Sequence, residues 1–317
     1  MKILAFTIVI AIGLVACGNP KKETDVTPQA QEPVLTGLSG QAYFLPTWPP
    51  ETEARLQETL RIARDSFNLN PTEQNYIWLG RRQAYLYQYR DAIATFTSGL
   101  QRYPHSYRLL RHRGHRYVTL RQFELAIADF QQAARLMEGQ PLETEPDGQP
   151  NALNQPLSTT QFNVWYHLGL AYYLQGRFAE AEKAYLACQA VCRNDDSALA
   201  VADWLYMTYQ RQGKRDEARK LLEGLPRNPV IVENDSYWVR LRLYRGEIPV
   251  DSVLTVKTGS EDADLALATQ GYGVGNWYLY RGDTARARKV FKQVVGGNYF
   301  SAFGFIAAEA ELARLPK

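Results

Sequence analysis

WYHLGLAYYLQGRFAEAEKAYLAC, Trp165 to Cys188, decides the fold. Its apolar residues recur three and four apart on both sides of Gly176, the pattern of two amphipathic helices joined by a tight turn. A glycine ends a helix cheaply there, because only glycine takes a positive φ without a steric cost. Gly169, in the first helix, marks a close crossing where any Cβ would push the second helix away.

Working outward, the same signature returns at a fixed interval. Gly80 and Gly114, Ala92 and Ala126, and Phe96 and Phe130 are each 34 residues apart. Three coincident offsets in unlike residue types indicate an internal repeat. Further copies run through Tyr209, Gly213 and Ala218, and through Gly275, Tyr278, Gly282, Ala287 and Phe291. The alanines Ala92, Ala126, Ala181, Ala218 and Ala287 read as the small site on each second helix. Tyr117, Tyr172, Tyr209 and Tyr278 with Phe96, Phe130 and Phe291 are expected to fill the space between hairpins. Gly176, Gly213, Gly246 and Gly282 end first helices.

Trp165, Leu168, Gly169, Tyr172, Gly176, Phe178, Ala181 and Tyr185 resemble the tetratricopeptide-repeat pattern, and the resemblance runs over about Glu73 to Val295. It implies an all-α, right-handed superhelical solenoid of helical hairpins, in which stacking buries one continuous core. Hairpins one and two are assigned to 73–139, three and four to 161–230, a degenerate fifth to 231–262 and a sixth to 263–297. Helices at 45–72 and 298–317 are expected to cap the two ends. Gly114 to Gly169 is 55 residues, so 21 extra residues enter as an inserted loop, assigned to 140–160. Ser158-Thr159-Thr160 reads as the cap of the next helix.

The amino terminus carries a second signal. Lys2 precedes an apolar run from Ile3 to Ala16, too short to span a bilayer. Leu14-Val15-Ala16-Cys17 resembles the lipobox of bacterial lipoproteins. That implies a signal peptide at 1–16, cleavage before Cys17, and acylation of Cys17 as a membrane anchor. Two or more acyl chains hold a protein firmly, where one does not. Gly18 follows, not the aspartate that commonly marks inner-membrane retention. The resemblance therefore implies the cell envelope, with the outer membrane's periplasmic face favoured. Residues 17–44 read as a flexible tether rich in Pro, Gln, Thr and Glu.

Composition narrows the function classes. There are 36 Lys and Arg against 33 Asp and Glu, a formal charge of +3. Near-neutrality gives no argument for nucleic acid. Cys188 and Cys192 fall on one helical face and read as packed thiols. His112 and His115 share one helical face, but Arg108, Arg111, Arg113 and Arg116 crowd the same helix and would repel a dication, so no metal site is expected. No nucleophile elbow or phosphate-cradling loop appears, and neither an enzyme activity nor a cofactor is expected.

First helices of such hairpins line the concave side. The positions left free there are Arg81, Tyr85, Arg108, Arg111, His115, Asn163, Tyr166 and Tyr173, with Ile77, Asp203 and Arg211 beside them. Arginine forks hold carboxylates at two points, and tyrosines add contact area. The expectation is a membrane-tethered scaffold binding an acidic peptide or an envelope protein in this groove. The competing expectation is a small-ligand or glycan binder of nutrient uptake or cell-wall maintenance. Replacing Cys17 with Ala should abolish incorporation of labelled palmitate and release the protein from the membrane fraction. Unchanged labelling would remove the anchor from the account.

Overall fold

The computed structural model describes residues 32–147, 151, 153–254 and 261–316. Cys17, the segment 1–16 and most of 17–44 lie outside these residues, as do 255–260 of the fifth hairpin. Among the described residues the chain forms fourteen helices and one two-stranded antiparallel sheet. Helix α1 (Pro50–Leu69) starts at a proline, which costs nothing where the amide has no helical partner. The hairpins follow as α2 (Glu73–Tyr85) with α3 (Tyr89–Arg102), and α4 (Tyr107–Thr119) with α5 (Phe123–Leu136). The third pairs α6 (Thr160–Leu174) with α7 (Phe178–Ala190), and the fourth α8 (Asp195–Arg211) with α9 (Arg215–Glu223). The fifth is α10 (Asp235–Tyr244) with the single turn α11 (Val250–Val253); the sixth is α12 (Glu261–Tyr280) with α13 (Thr284–Val295). Helix α14 (Phe303–Arg314) ends the chain. No helix among the described residues is long and apolar enough to cross a membrane.

Each hairpin closes on the same turn. The residue two beyond each first helix has positive φ: Tyr87 at 61°, Arg121 at 62°, Gly176 at 76°, Gly213 at 73°, Gly246 at 75° and Gly282 at 85°. The next amide then donates back into the helix, as Gln88 to Gln83, Gln122 to Tyr117, and Arg177 to Tyr172. Lys214, Glu247 and Asp283 make the equivalent bonds, satisfying carbonyls that the helix end would orphan. The degenerate fifth hairpin thus keeps the turn although its second helix is one turn long.

The helical crossings depend on glycine. A Cβ on Gly80 would lie 2.3 Å from the Phe96 ring, and one on Gly114 2.8 Å from Phe130. The same holds for Gly169 with Tyr185 at 2.6 Å and Gly275 with Phe291 at 2.3 Å. Phe96, Phe130 and Phe291 therefore seat inside their own hairpins, where they meet the glycine, and not only between hairpins as the spacing suggested. Hairpin five is held differently. Arg240 and Asp203 form a fully buried ion pair at 2.7 Å, and Gly273 of α12 leaves the room that the Arg240 chain needs.

First helices also touch one another in sequence, α2 to α4, α4 to α6 and α6 to α8, which places them on the inner side of the curve. That hollow is partly filled by the chain itself. Gly304 rests against the Ala268 carbonyl, so α14 packs on the α12 backbone. The Arg121 Nε donates to Glu309 at 2.8 Å, and both side chains are 3% exposed. Leu38 N and Tyr43 Oη donate to the other Glu309 oxygen at 2.9 and 3.1 Å. Two expectations change here. The C-terminal helix does not merely cap an end; it reaches back to the turn of hairpin two. The tether does not run to residue 44; β1 (Leu35–Thr36) and β2 (Ala42–Tyr43) pair and are pinned to α14. Cys188 and Cys192 are free, with Cys188 buried.

Gly114→Leu should cost about 1–3 kcal/mol by overpacking. Urea denaturation should show a smaller loss for Gly114→Leu with Phe130→Leu than the two single losses combined. Strict additivity would mean that glycine and ring do not share one space.

Candidate functional site

The inner faces of α2 and α4 carry arginine at Arg81, Arg108 and Arg111. The inserted segment lies across all three. Arg108 Nε and Nη2 fork onto Glu143 at 2.8 and 2.5 Å, and Nη1 reaches Glu73 at 3.1 Å. Arg111 Nη2 pairs with Glu145 at 2.9 Å, both side chains being buried. Arg81 Nη1 donates to the Pro146 carbonyl at 2.7 Å. The segment is extended because its backbone pairs with residues 158–160: Glu145 N donates to Ser158 O at 3.0 Å, and Thr160 N to Glu143 O at 2.9 Å. Thr159 caps α6 by accepting from Phe162 N. The described part of the insertion before residue 148 therefore lies extended, with Glu143-Thr144-Glu145-Pro146-Asp147 as an acidic strand along the arginine row.

Electrostatics agree with this placement. Burial raises the Glu143 carboxyl, but hydrogen bonds from Arg108 and Tyr107 outweigh it and hold Glu143 below its usual range. Arg111 shifts down through burial, against the pull of Glu145. The fit is incomplete, since Arg111 Nε and Glu145 Oε2 are buried with no hydrogen-bond partner. Arg111 Nη1 also lies 3.1 Å from His112 Nδ1. Burial, then the nearby arginines, keeps His112, His115 and His167 well below the usual histidine range, so all three are neutral.

The remaining expected groove residues separate. Tyr85 and His115 line open clefts between α1, α2 and α4. Asn163 is buried and donates to Ser158 Oγ at 3.0 Å, so it positions the strand's return and offers nothing to a ligand. Tyr166 is buried, with its hydroxyl 2.8 Å from that of Tyr237. Phe303, the first residue of α14, packs against Tyr166, His115 and His167 and covers that part of the face. Tyr173 is fully buried and accepts from Tyr272 Oη at 2.8 Å. Tyr173, Tyr166 and Asn163 were expected on an open groove; Tyr272 of α12 covers Tyr173, Tyr237 of α10 and Phe303 of α14 cover Tyr166, and Asn163 is buried with its amide on Ser158 of the insertion. Ile77 is buried, Asp203 holds Arg240, and Arg211 pairs with Glu311.

The pattern of slots did not reveal Arg116, one turn after His112 on the same helix. It lines both a cleft of about 370 Å³ and an adjoining chamber of about 120 Å³. No acidic side chain pairs with it among the described residues; its one described ring contact is Tyr89, 5.7 Å below the guanidinium carbon. Among the described residues no three His, Cys, Asp or Glu side chains gather as metal ligands would.

Residues 162–195, covering α6 and α7, match the family model described as Tetratricopeptide repeat. No curated protein matches the chain by sequence. Among solved structures, a tetratricopeptide repeat protein from Parabacteroides merdae is 17% identical, with 83% of this chain and 94% of that one covered and a TM-score of 0.47. YrrB, described as a TPR protein with an unusual peptide-binding site, is 14% identical over 79% of this chain and 97% of that one, with a TM-score of 0.42.

The two acids of the strand should differ sharply in weight. Glu145→Gln strands a buried guanidinium and should cost about 3–5 kcal/mol. Glu143→Gln weakens a partly exposed pair and should cost under about 1 kcal/mol. Urea denaturation of both variants checks this, and equal losses would contradict the burial difference.

Proposed function

We propose that this chain, a tetratricopeptide-repeat protein, is a protein-interaction scaffold whose inner face takes an extended acidic segment of a partner, and that an acylated Cys17 holds it at a bacterial envelope membrane. The observation that carries the reading is the chain's own strand Glu143–Asp147 on Arg81, Arg108 and Arg111. It supports a preference of this row for carboxylates two residues apart on an extended backbone. A partner segment of the same chemistry would compete for the same arginines. The buried unsatisfied atoms Arg111 Nε and Glu145 Oε2 leave the internal strand short of full complementarity. Hairpin stacking supplies a rigid bed, so little ordering is lost on binding. The envelope site rests on the lipobox alone, and the outer membrane's periplasmic face is the favoured position.

A labelled peptide with the chain's own sequence PLETEPD (Pro141–Asp147) should bind the purified protein in trans. Arg108→Glu should weaken it at least tenfold, and a peptide with glutamine at both glutamate positions should not bind. Equal binding of the two peptides, or indifference to Arg108→Glu, would overturn the acidic-segment reading.

A further inference from the structure

Among the described residues, Arg116 is a cation of the inner face that has no acidic partner once the acidic strand is in place. Arg108 faces Glu143 and Glu73, Arg111 faces Glu145, and Arg81 holds the Pro146 carbonyl. Among the described residues Arg116 has no such counterpart. The charged and titratable groups that interact with it include Tyr89, Arg111, Tyr85, Arg81, His112, His115 and His167, with no carboxylate among them. Its side chain is mostly buried yet lines open space, so its nitrogens can reach a ligand in the cleft. Leaving a buried charge unpaired is costly, and proteins seldom keep one without a use.

The cleft has the lining of a binding site. Trp48 and Tyr87, with rings 5.6 Å apart, are among its aromatic residues. Arg55 of α1, an exposed residue, adds a second cation. Thr119 of α4, its hydroxyl bonded to the His115 carbonyl, and Ser301 of the turn before α14, bonded to Tyr89, complete the lining. At about 370 Å³ the space admits a small molecule rather than a folded segment. Burial, with Arg111 and Arg81 nearby and Tyr89 acting the other way, pushes the Arg116 guanidinium down to about 10. An arriving anion would reverse that penalty.

We infer that the cleft between α1, α2, α4 and the turn before α14 is a binding site for a small oxyanion, a carboxylate or phosphate group held by Arg116 with Arg55 at its side. The site goes beyond the partner-segment reading and does not need it. Its cations are Arg116 and Arg55, whereas the strand uses Arg81, Arg108 and Arg111, so either reading can fail alone.

The test uses the purified full-length chain and two probes, inorganic phosphate and succinate, each titrated calorimetrically against a chloride control of equal ionic strength. Saturable binding of one or both is expected, and which probe binds assigns the ligand's group. Arg116→Gln should weaken it at least tenfold, Arg116→Lys should restore part of it, and Arg108→Glu should leave it unchanged. Should Arg116→Gln fail to fold, Ser301→Trp narrows the same cleft and should abolish binding. Absence of saturable binding with both probes, or binding undiminished in Arg116→Gln or in Ser301→Trp, overturns the site.

Discussion

The fold depends on one contact made four times: an aromatic ring of a second helix seated on a glycine of the first, sixteen residues earlier in the chain. Gly80 with Phe96, Gly114 with Phe130, Gly169 with Tyr185 and Gly275 with Phe291 all repeat it. The glycine lets the ring lie against backbone, and the ring fills the space that the missing side chain leaves. Neither residue is useful alone, which is why the two recur together. Where the pair is lost, the packing loosens. The position matching Gly169 in hairpin four is Tyr206, which instead stacks on Tyr244 with ring centroids 4.5 Å apart. A cleft of about 760 Å³ opens beside it, lined by Leu222, Arg219 and Arg245. The neighbouring fifth hairpin relies on the Arg240–Asp203 ion pair, a costly element to keep in an apolar interior.

Rigid hairpins make an inner face, and the chain then occupies much of it. The C-terminal segment brings Phe303 onto His115, Tyr166 and His167, and Glu309 onto Arg121. The insertion brings two glutamates onto two arginines. These two occupants differ in kind. The first is aromatic and helical, joined to the core by Gly304 and by a nearly inaccessible ion pair. The second is extended and acidic, and it leaves Arg111 Nε and Glu145 Oε2 buried without hydrogen-bond partners. What both leave open is the cleft at Arg116.

Much of the architecture was legible because its causes are local. A glycine at a crossing, an alanine at a tight site and a glycine at positive φ each leave a mark in the sequence at a fixed offset. Tyr87 and Arg121 escaped notice because they occupy the same left-handed turn without being glycine, each held by contacts made elsewhere: Tyr87 by Trp48 and Phe300, Arg121 by Glu309. The groove was legible only in part. Arg81, Arg108 and Arg111 do form one row, and an acidic peptide does lie on it, but that peptide is the chain's own. Charge complementarity between the arginines of α4 and the Glu-Thr-Glu run of the insertion was the available signal. Burial of Tyr166 and Tyr173 could not be read from their own helix, since the groups that cover them arrive from about 70 to 140 residues downstream.

The glycine–ring contact can be observed without perturbing it. A proton held against the face of an aromatic ring resonates upfield of its ordinary position. In a proton NMR spectrum of the folded chain, the α-protons of Gly80, Gly114, Gly169 and Gly275 should be displaced upfield, while those of Gly40 and Gly139, which face open space, should not. Ordinary glycine shifts at all four positions would contradict the packing on which the hairpins, and the inner face they build, depend.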